Sequence, residues 1–432
     1  MTTIVLHFLR ASHAPSHGSI SRRTSRLWLL LNLAGLLFAC ADHREPDPDD
    51  QNQLRVQAAV DSVRRALEDS LGHTVPSMSV LIQTPSQTYF ASSVPAGQSP
   101  ITPQTYFRFA SNTKNFTATA ILNMYEDGWL DYKAKITDLM PGSTQPYVPA
   151  TAEWNFPNKD QITIEQLLQH SAGVYDVDND SVPGFNGMSY TEAVQTADPT
   201  HQFTTEEMVH QLILNQLSYF APGTGYHYSN TGYSILSYII ARVYSARSGL
   251  TKTYGDYLYD YVVGPGAPIP VTIRFPVRAD DTVLPSPRVE GLELLPGNIQ
   301  KRYGDYNMSA QVGEGNGYGN MASLNSYIRS LMKGQNVLTP QTVKLMQTSV
   351  SSANPTYALG CTFTPNLGYG HNGARIGNLA VMAYDPLTDV SLVAYLPLWD
   401  LTDGFTSFIK CFNGMYDAAY AARKSLGYPG KP

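Results

Sequence analysis

Positive charge is scarce in this 432-residue chain: 29 Lys and Arg stand against 35 Asp and Glu, and charged residues make up only 15%. No basic patch or Arg-rich run occurs, so the electrostatic footprint of a nucleic-acid binder is missing. The apolar run Leu27–Phe38 is twelve residues long, short of the roughly 20 that a bilayer core demands. Cysteine is down to three, Cys40, Cys361 and Cys411. The patterns G-x-S-x-G, H-E-x-x-H and G-x-x-x-x-G-K-[ST] are absent, which removes support for a hydrolase elbow, a zincin or a P-loop. What the chain does have is 43% hydrophobic residues and 28 Tyr, enough to build a sizeable core and unlike a disordered chain or a fibre.

The N-terminus differs from the rest. Arg22, Arg23 and Arg26 precede the apolar run, which closes at Ala39-Cys40. A charged start, a short apolar core and a small residue before the cut describe a secretory signal. Leu37-Phe38-Ala39-Cys40 resembles a bacterial lipobox, so residues 1–39 are expected to be a lipoprotein signal, with Cys40 lipidated. The expected location is then the periplasmic face of the bacterial envelope, the outer membrane favoured, with the membrane contacted through the lipid only. Residues 40–52 are acidic and lack an apolar period, which reads as a solvated tether. Cys361 and Cys411 remain, either as a disulfide or as two separately buried thiols; spacing does not decide.

From residue 53 the pattern is that of one folded unit, ending near 425 before a short tail at 426–432. Val56, Val60, Val63 and Leu67 share a helical face, and 77–82 with 88–93 alternate as a hairpin. Thr163, the pair Thr204 and Glu207, and Thr339-Pro340 mark helix starts. Strand-like runs follow at 357–363, 375–384 and 390–397, and Phe405, Phe408, Ile409, Phe412 and Met415 form a last helical stripe. Strands at both ends with helices between predict an α+β fold. Its antiparallel sheet is built from N- and C-terminal segments (about 53–125 and 318–425) and flanked by helices, with a mostly helical lobe inserted at about 126–317.

Ser111-x-x-Lys114 lies where a strand-like stretch becomes helical. At that spacing a Lys one turn on reaches a Ser at a helix start, which places a nucleophile beside a proton acceptor. Such a Lys needs burial or a cationic neighbour to lose its proton. The same pattern at Ser330/Lys333 and Ser407/Lys410 falls inside amphipathic helices and carries no such reading. Tyr228-x-Asn230 sits at a loop-to-helix junction, where a phenol near a Lys shuttles protons and an amide offers a donor and an acceptor. Alone it is weak, because Tyr318-x-Asn320 matches too. His371-Asn372-Gly373 enters a strand, and its Gly lets the backbone approach a ligand. His170 reads as structural.

The three motifs, in this order and with these flanks, resemble the serine β-lactamase/penicillin-binding superfamily, in particular its class C-like branch of D-alanyl-D-alanine carboxypeptidases and esterases. ITIEQLLQHSAGV, FAPGTGYHYSNTGYSILSYII, LTPQTVKLM and GYGHNGARIG extend the likeness over about 54–425, with 264–316 the least matched part. The resemblance implies Ser111 as acyl-forming nucleophile and Lys114 with Tyr228 in the proton traffic. Asn230 would bind a substrate amide, and His371 would hold a carboxylate or pass a proton. Backbone N–H groups of Ser111 and Ala374 would form an oxyanion hole. Asn372 stands where the family usually has Thr, and Arg375 is the candidate for the missing charge. No cofactor or metal is implied. Small peptide, ester or β-lactam substrates are, together with peptidoglycan fragments and no nucleic acid. A carboxypeptidase-like enzyme is the first expectation, an esterase or weak β-lactamase the next. A penicillin-binding sensor without turnover is the reading from another class.

Overall fold

The computed structural model describes residues 48–432 apart from 298 and 376. The expected signal segment, Cys40 and residues 41–47 of the expected tether lie outside them. Pro48–Pro432 forms one compact unit.

Helix α1 (Pro48–Leu71) starts inside the stretch read as a tether, a correction for residues 48–52. The acidic residues there have a local purpose. Asp49 and Asp50 occupy the first turn behind a proline, where the exposed N–H groups favour negative charge and proline costs no hydrogen bond. The expected hairpin follows as β1 (Met78–Gln83) and β2 (Thr88–Ser93). Strand β3 (Tyr106–Arg108) then leads through a tight turn into α2 (Thr113–Glu126).

The inserted region contributes α3 (Ile164–Leu168), α4 (Tyr190–Ala197), α5 (Thr205–Leu214), α6 (Asn230–Ser248) and α7 (Tyr254–Tyr257). Thr163 caps α3 in a reciprocal box with Gln166. At α5 the box is only half made: Thr204 accepts from the Glu207 N–H, but the Glu207 carboxylate contacts His201 Nε2 at 3.1 Å.

Residues 291–303 correct the lobe boundary. They form a hairpin, β4 (Gly291–Leu295) and β5 (Ile299–Tyr303), within the span assigned to helices. Leu292 and Leu294 are apolar at alternate positions and pack into the core beside the main sheet, not into the helical lobe.

The chain closes with β6 (Tyr318–Asn320), paired to β3, then α8 (Met321–Met332) and α9 (Pro340–Thr348). Strands β7 (Thr362–Thr364), β8 (Gly368–Arg375), β9 (Asn378–Asp385), β10 (Val390–Leu396) and β11 (Leu398–Asp400) precede α10 (Phe405–Ser425). The 357–363 run is strand only from Thr362: Gly360 takes φ +58 and Ala358 donates to the Cys361 carbonyl (2.8 Å), so the segment turns instead. Strand β11 joins β4 in a second small sheet.

The main sheet is antiparallel in the order β2-β1-β10-β9-β8-β7, which places the N-terminal hairpin beside the C-terminal strands. Both faces are covered, which is why β9 and β10 read as continuous apolar runs. Leu379, Val381 and Ala383 pack toward α1 and α10, while Ala380, Met382 and Tyr384 join the larger core with α2 and α8. That alternation is the period-two consequence of the pleat. The exposed edge is managed from α1. Gln53 bonds both the N–H and the C=O of Phe90 (3.2 and 2.8 Å), and Gln57 does the same for Ser92 (3.2 and 3.4 Å). Side-chain amides thus occupy backbone groups that would otherwise template another strand. Cys361 and Cys411 are separately buried free thiols in different cores.

Candidate active site

One turn of 3-10 helix at Ala110–Asn112 connects β3 to α2. Ala110 has φ +49, a left-handed conformation that costs a non-glycine residue of order 1 kcal/mol and persists only where surroundings enforce it. The enforcement is visible: Asn112 Nδ2 donates to the Phe109 carbonyl and Thr113 Oγ1 to that of Ala110, each at 2.8 Å. Asn112, Thr113 and Lys114 are buried, whereas Ser111 retains access to solvent.

Strand β8 runs past this turn. Its pairing with β7 ends at Gly370, so from His371 to Arg375 the outer edge of β8 is unpaired by any described strand. Gly373 makes the approach possible, since a Cβ there would stand 2.1 Å from the Phe109 carbonyl oxygen. A cleft of about 380 Å³ lies between, lined by Ser111, Tyr228, Asn230, His371, Asn372, Ala374 and Arg375 among others. The residues named from sequence therefore converge, with Lys114 beneath the floor and Gly373 behind the edge.

Lys114 Nζ is 3.2 Å from Ser111 Oγ. It also donates to Asn230 Oδ1 (2.7 Å) and to the Glu314 carbonyl (2.9 Å), and meets Glu314 Oε2 at 3.2 Å. Burial works against its charge, but Tyr228 and Glu314 outweigh burial and hold the ammonium above the ordinary lysine value. The ammonium form of Lys114 is thus favoured, because its burial came with Asn230, Tyr228 and the backbone and side chain of Glu314 around it. Burial pushes the Tyr228 phenol up, while Lys114 and the bond to Ser111 pull it back. The His170 ring packs at a tilt against Tyr228, centroids 4.2 Å apart, and its Nδ1 accepts from the Ser229 N–H, so this histidine braces the phenol.

Asn230 and His371 are both engaged within the protein. Asn230 links Lys114 to Asp178, to which its Nδ2 donates at 2.8 Å. His371 Nδ1 lies 2.5 Å from the Asn372 carbonyl, an acceptor only, so Nδ1 carries the proton and Nε2 accepts from the Tyr357 hydroxyl at 2.9 Å. Burial lowers this imidazole to about 3 and it is neutral. Arg375 faces Asp178 across 3.4 Å. Ala374 is half-buried against the α1–α10 core and, with His371, Asn372 and Arg375, also lines the cleft.

The sequence reading missed Asp176, Asp178, Glu314 and Tyr357. Asp176 and Asp178 follow directly on the His170 segment, and Glu314 sits between two glycines; each is a buried acid, which composition conceals. The rejected Ser/Lys pairs stay apart. Ser330 bonds the Ser326 carbonyl while Lys333 pairs with Asp389, and Lys410 donates to the Ser70 carbonyl. Their lysines are thus tied down, not simply solvated.

The beta-lactamase family model matches residues 63–401. Among curated relatives, a penicillin-binding protein of Bacillus subtilis (strain 168) is 28% identical over 161 residues, 37% of this chain and 28% of that protein. A putative fimbrial assembly protein, FimD of Dichelobacter nodosus, is 31% identical over 167 residues, 38% and 34% respectively. The chain thus spans about a third or less of these relatives' length. Among solved structures, D-amino acid amidase from Ochrobactrum anthropi SV3, complexed with D-phenylalanine, superposes with a TM-score of 0.65 at 20% identity, covering 85% of this chain and 99% of that one. A penicillin-binding protein from Bacillus halodurans gives 0.59 at 20% identity, with 84% and 98% covered. These likenesses establish the fold, and the match across most of the chain places it in the beta-lactamase family of serine hydrolases.

Proposed function

We propose that the chain is an acyl-serine hydrolase that cleaves an amide or ester of a D-amino-acid-type substrate. The observation that carries this reading is the contact of Ser111 with Lys114 (3.2 Å) and Tyr228 at the foot of a cleft bordered by an unpaired strand edge. An extended substrate pairing with β8 would present its carbonyl carbon to Ser111 Oγ. With Lys114 held as ammonium, the serine proton passes to Tyr228, whose phenolate the adjacent cation favours. Tyr228 returns the proton to the leaving amine or alcohol as the acyl-serine forms. Water then releases the acyl group by the reverse proton route. Backbone N–H groups at Ser111 and Ala374 would receive the oxyanion.

The finer choice among substrates turns on carboxylate recognition. Arg375 already faces Asp178, Lys114 is taken up beneath the floor by Asn230 Oδ1, the Glu314 carbonyl and Ser111 Oγ, and His371 is neutral. That charge balance supports a D-amino-acid amide or ester over a peptide ending in a free carboxylate, and so over the D-alanyl-D-alanine carboxypeptidase expected first. Relatives described as D-amino acid amidase and D-stereospecific amidohydrolase support the same ordering.

The test is labelling with a fluorescent fluorophosphonate and a fluorescent penicillin, wild type against Ser111→Ala. A mass-read panel of D-amino-acid amides, D-alanyl-D-alanine peptides, esters and β-lactams accompanies it. Label on wild type alone, with amide or ester turnover, is the expected result. No label on wild type removes the nucleophile, and stable label without turnover assigns a sensor.

A further inference from the structure

Glu314 belongs to none of the sequence motifs and performs no step above, yet it is among the most enclosed acids in the molecule, 2% exposed. Its loop cannot easily release it. Gly313 takes φ +82, the Gly313 N–H donates to Asn316 Oδ1 (3.2 Å), and Thr117 Oγ1 donates to the Gly313 carbonyl (2.5 Å). The groups facing the carboxyl are Lys114 of α2, Tyr228 and Asn230 at the entrance to α6, Asp176 and Asp178 after α3, Arg375 of β8 and Tyr254 of α7. Burial pushes the carboxyl up to about 8, with Lys114 opposing. Its Oε1 has no partner among the described residues, although the side chain borders the cleft.

A hydrogen-bond count shows what the side chain is not needed for. An ammonium has three N–H groups, and three neutral oxygens already surround Lys114 Nζ: Asn230 Oδ1, the Glu314 carbonyl and Ser111 Oγ. The carboxylate at 3.2 Å is surplus as an acceptor. What it adds, once the carboxyl ionises near 8, is charge, in a position where charge is costly to bury. A negative charge there favours the ammonium form of Lys114 and disfavours the phenolate form of Tyr228.

We propose that Glu314 is a positioning residue for acyl transfer, which through its contact with Lys114 sets the charge of the Lys114–Tyr228 pair and so the pH range in which Ser111 is nucleophilic. This rests on the acyl-serine reading. Removing the negative charge lowers the proton affinity of Lys114 and of Tyr228 alike. The direction of the effect is therefore the same whichever of them takes the proton.

The experiment is the second-order rate of Ser111 phosphonylation by a fluorescent fluorophosphonate, measured from pH 5 to 10. In that reaction Ser111 Oγ bonds to phosphorus, fluoride leaves and the hydroxyl proton passes to the base. For Glu314→Gln, isosteric and uncharged, the part of the acid limb above about pH 8, where the wild-type carboxyl is ionised, moves to lower pH by on the order of one unit. Glu314→Asp, with its charge set further back, gives a smaller displacement in the same direction. A uniform loss of rate with the limb in place means that Glu314 serves packing alone, and superimposable profiles mean that it does nothing; both overturn the proposal. If Glu314→Gln does not fold, Glu314→Asp decides on the same criterion. A wild type that is not labelled sinks the serine reading itself, an outcome distinct from a labelled wild type with an unmoved limb.

Discussion

Gly373 and Phe109 meet backbone to backbone, so closely that a single methyl on Gly373 would lie 2.1 Å from the Phe109 carbonyl oxygen. This contact brings the open edge of β8 against the turn that carries Ser111, and so determines the width of the cleft.

Gly373→Ala forces the edge and the turn apart. Overpacking of this kind costs about 1–3 kcal/mol, and a displacement of about 1 Å at a reacting centre costs roughly a hundredfold in rate. Fluorophosphonate labelling should fall by about that factor while circular dichroism retains the fold. Labelling at the wild-type rate would show that the edge does not border the reaction.

Arg375→Gln separates a structural from a recognition role. Burial pushes the Asp178 carboxyl up, and Arg375 with three side-chain donors overcomes it, holding the acid below its ordinary range. Loss of the guanidinium leaves a buried acid short of a counter-charge, at a cost of about 2 kcal/mol once partial exposure of Arg375 is allowed for. Turnover of a D-amino-acid amide and of a D-alanyl-D-alanine peptide should fall by the same factor. A loss confined to the peptide would identify Arg375 as its carboxylate anchor.

His371 predicts a pH dependence of stability. Its folded pKa of about 3 lies below the ordinary 6.5, so unfolding takes up a proton in that window. The stability it contributes is complete above about 6.5 and is lost as pH falls toward 3. His170, also lowered by burial, acts in the same sense. Asp176 and Glu314, pushed up by burial to about 6 and about 8, act oppositely: their contribution is present at low pH and disappears as pH rises through those values. Urea unfolding of His371→Gln between pH 6 and 4 should show an acid loss shallower than wild type by up to about 1.4 kcal/mol per pH unit. Parallel slopes would mean that the imidazole titrates normally in the folded protein.

Gln53→Ala and Gln57→Ala probe the edge guard of β2. Each leaves two strand groups to water and should cost about 0.5–1.5 kcal/mol, with fluorophosphonate labelling unchanged. Analytical ultracentrifugation of the double variant should show self-association absent from wild type, because the freed edge can pair with another copy. A double variant that stays as dispersed as wild type would show that the edge is protected by other means.

Sequence alone determined most of the elements and the pairing of Ser111 with Lys114. Period-two and helical apolar patterns located the hairpin, the C-terminal strands and the last helix, because pleat and helix geometry are local. Spacing by one turn paired Ser111 with Lys114 for the same reason. Tertiary structure decided the electrostatics. Lys114 finds Asn230 at a separation of 116 residues and Glu314 at 200, and Arg375 meets Asp178 across 197. Whether a lysine keeps its proton, a histidine goes neutral or an arginine is free to bind depends on burial and on charges a few ångströms away. Those neighbours are brought together only by the fold. That is why the pairing of Ser111 with Lys114 was legible in the chain, while the acids around it, Glu314 and Asp178, were not.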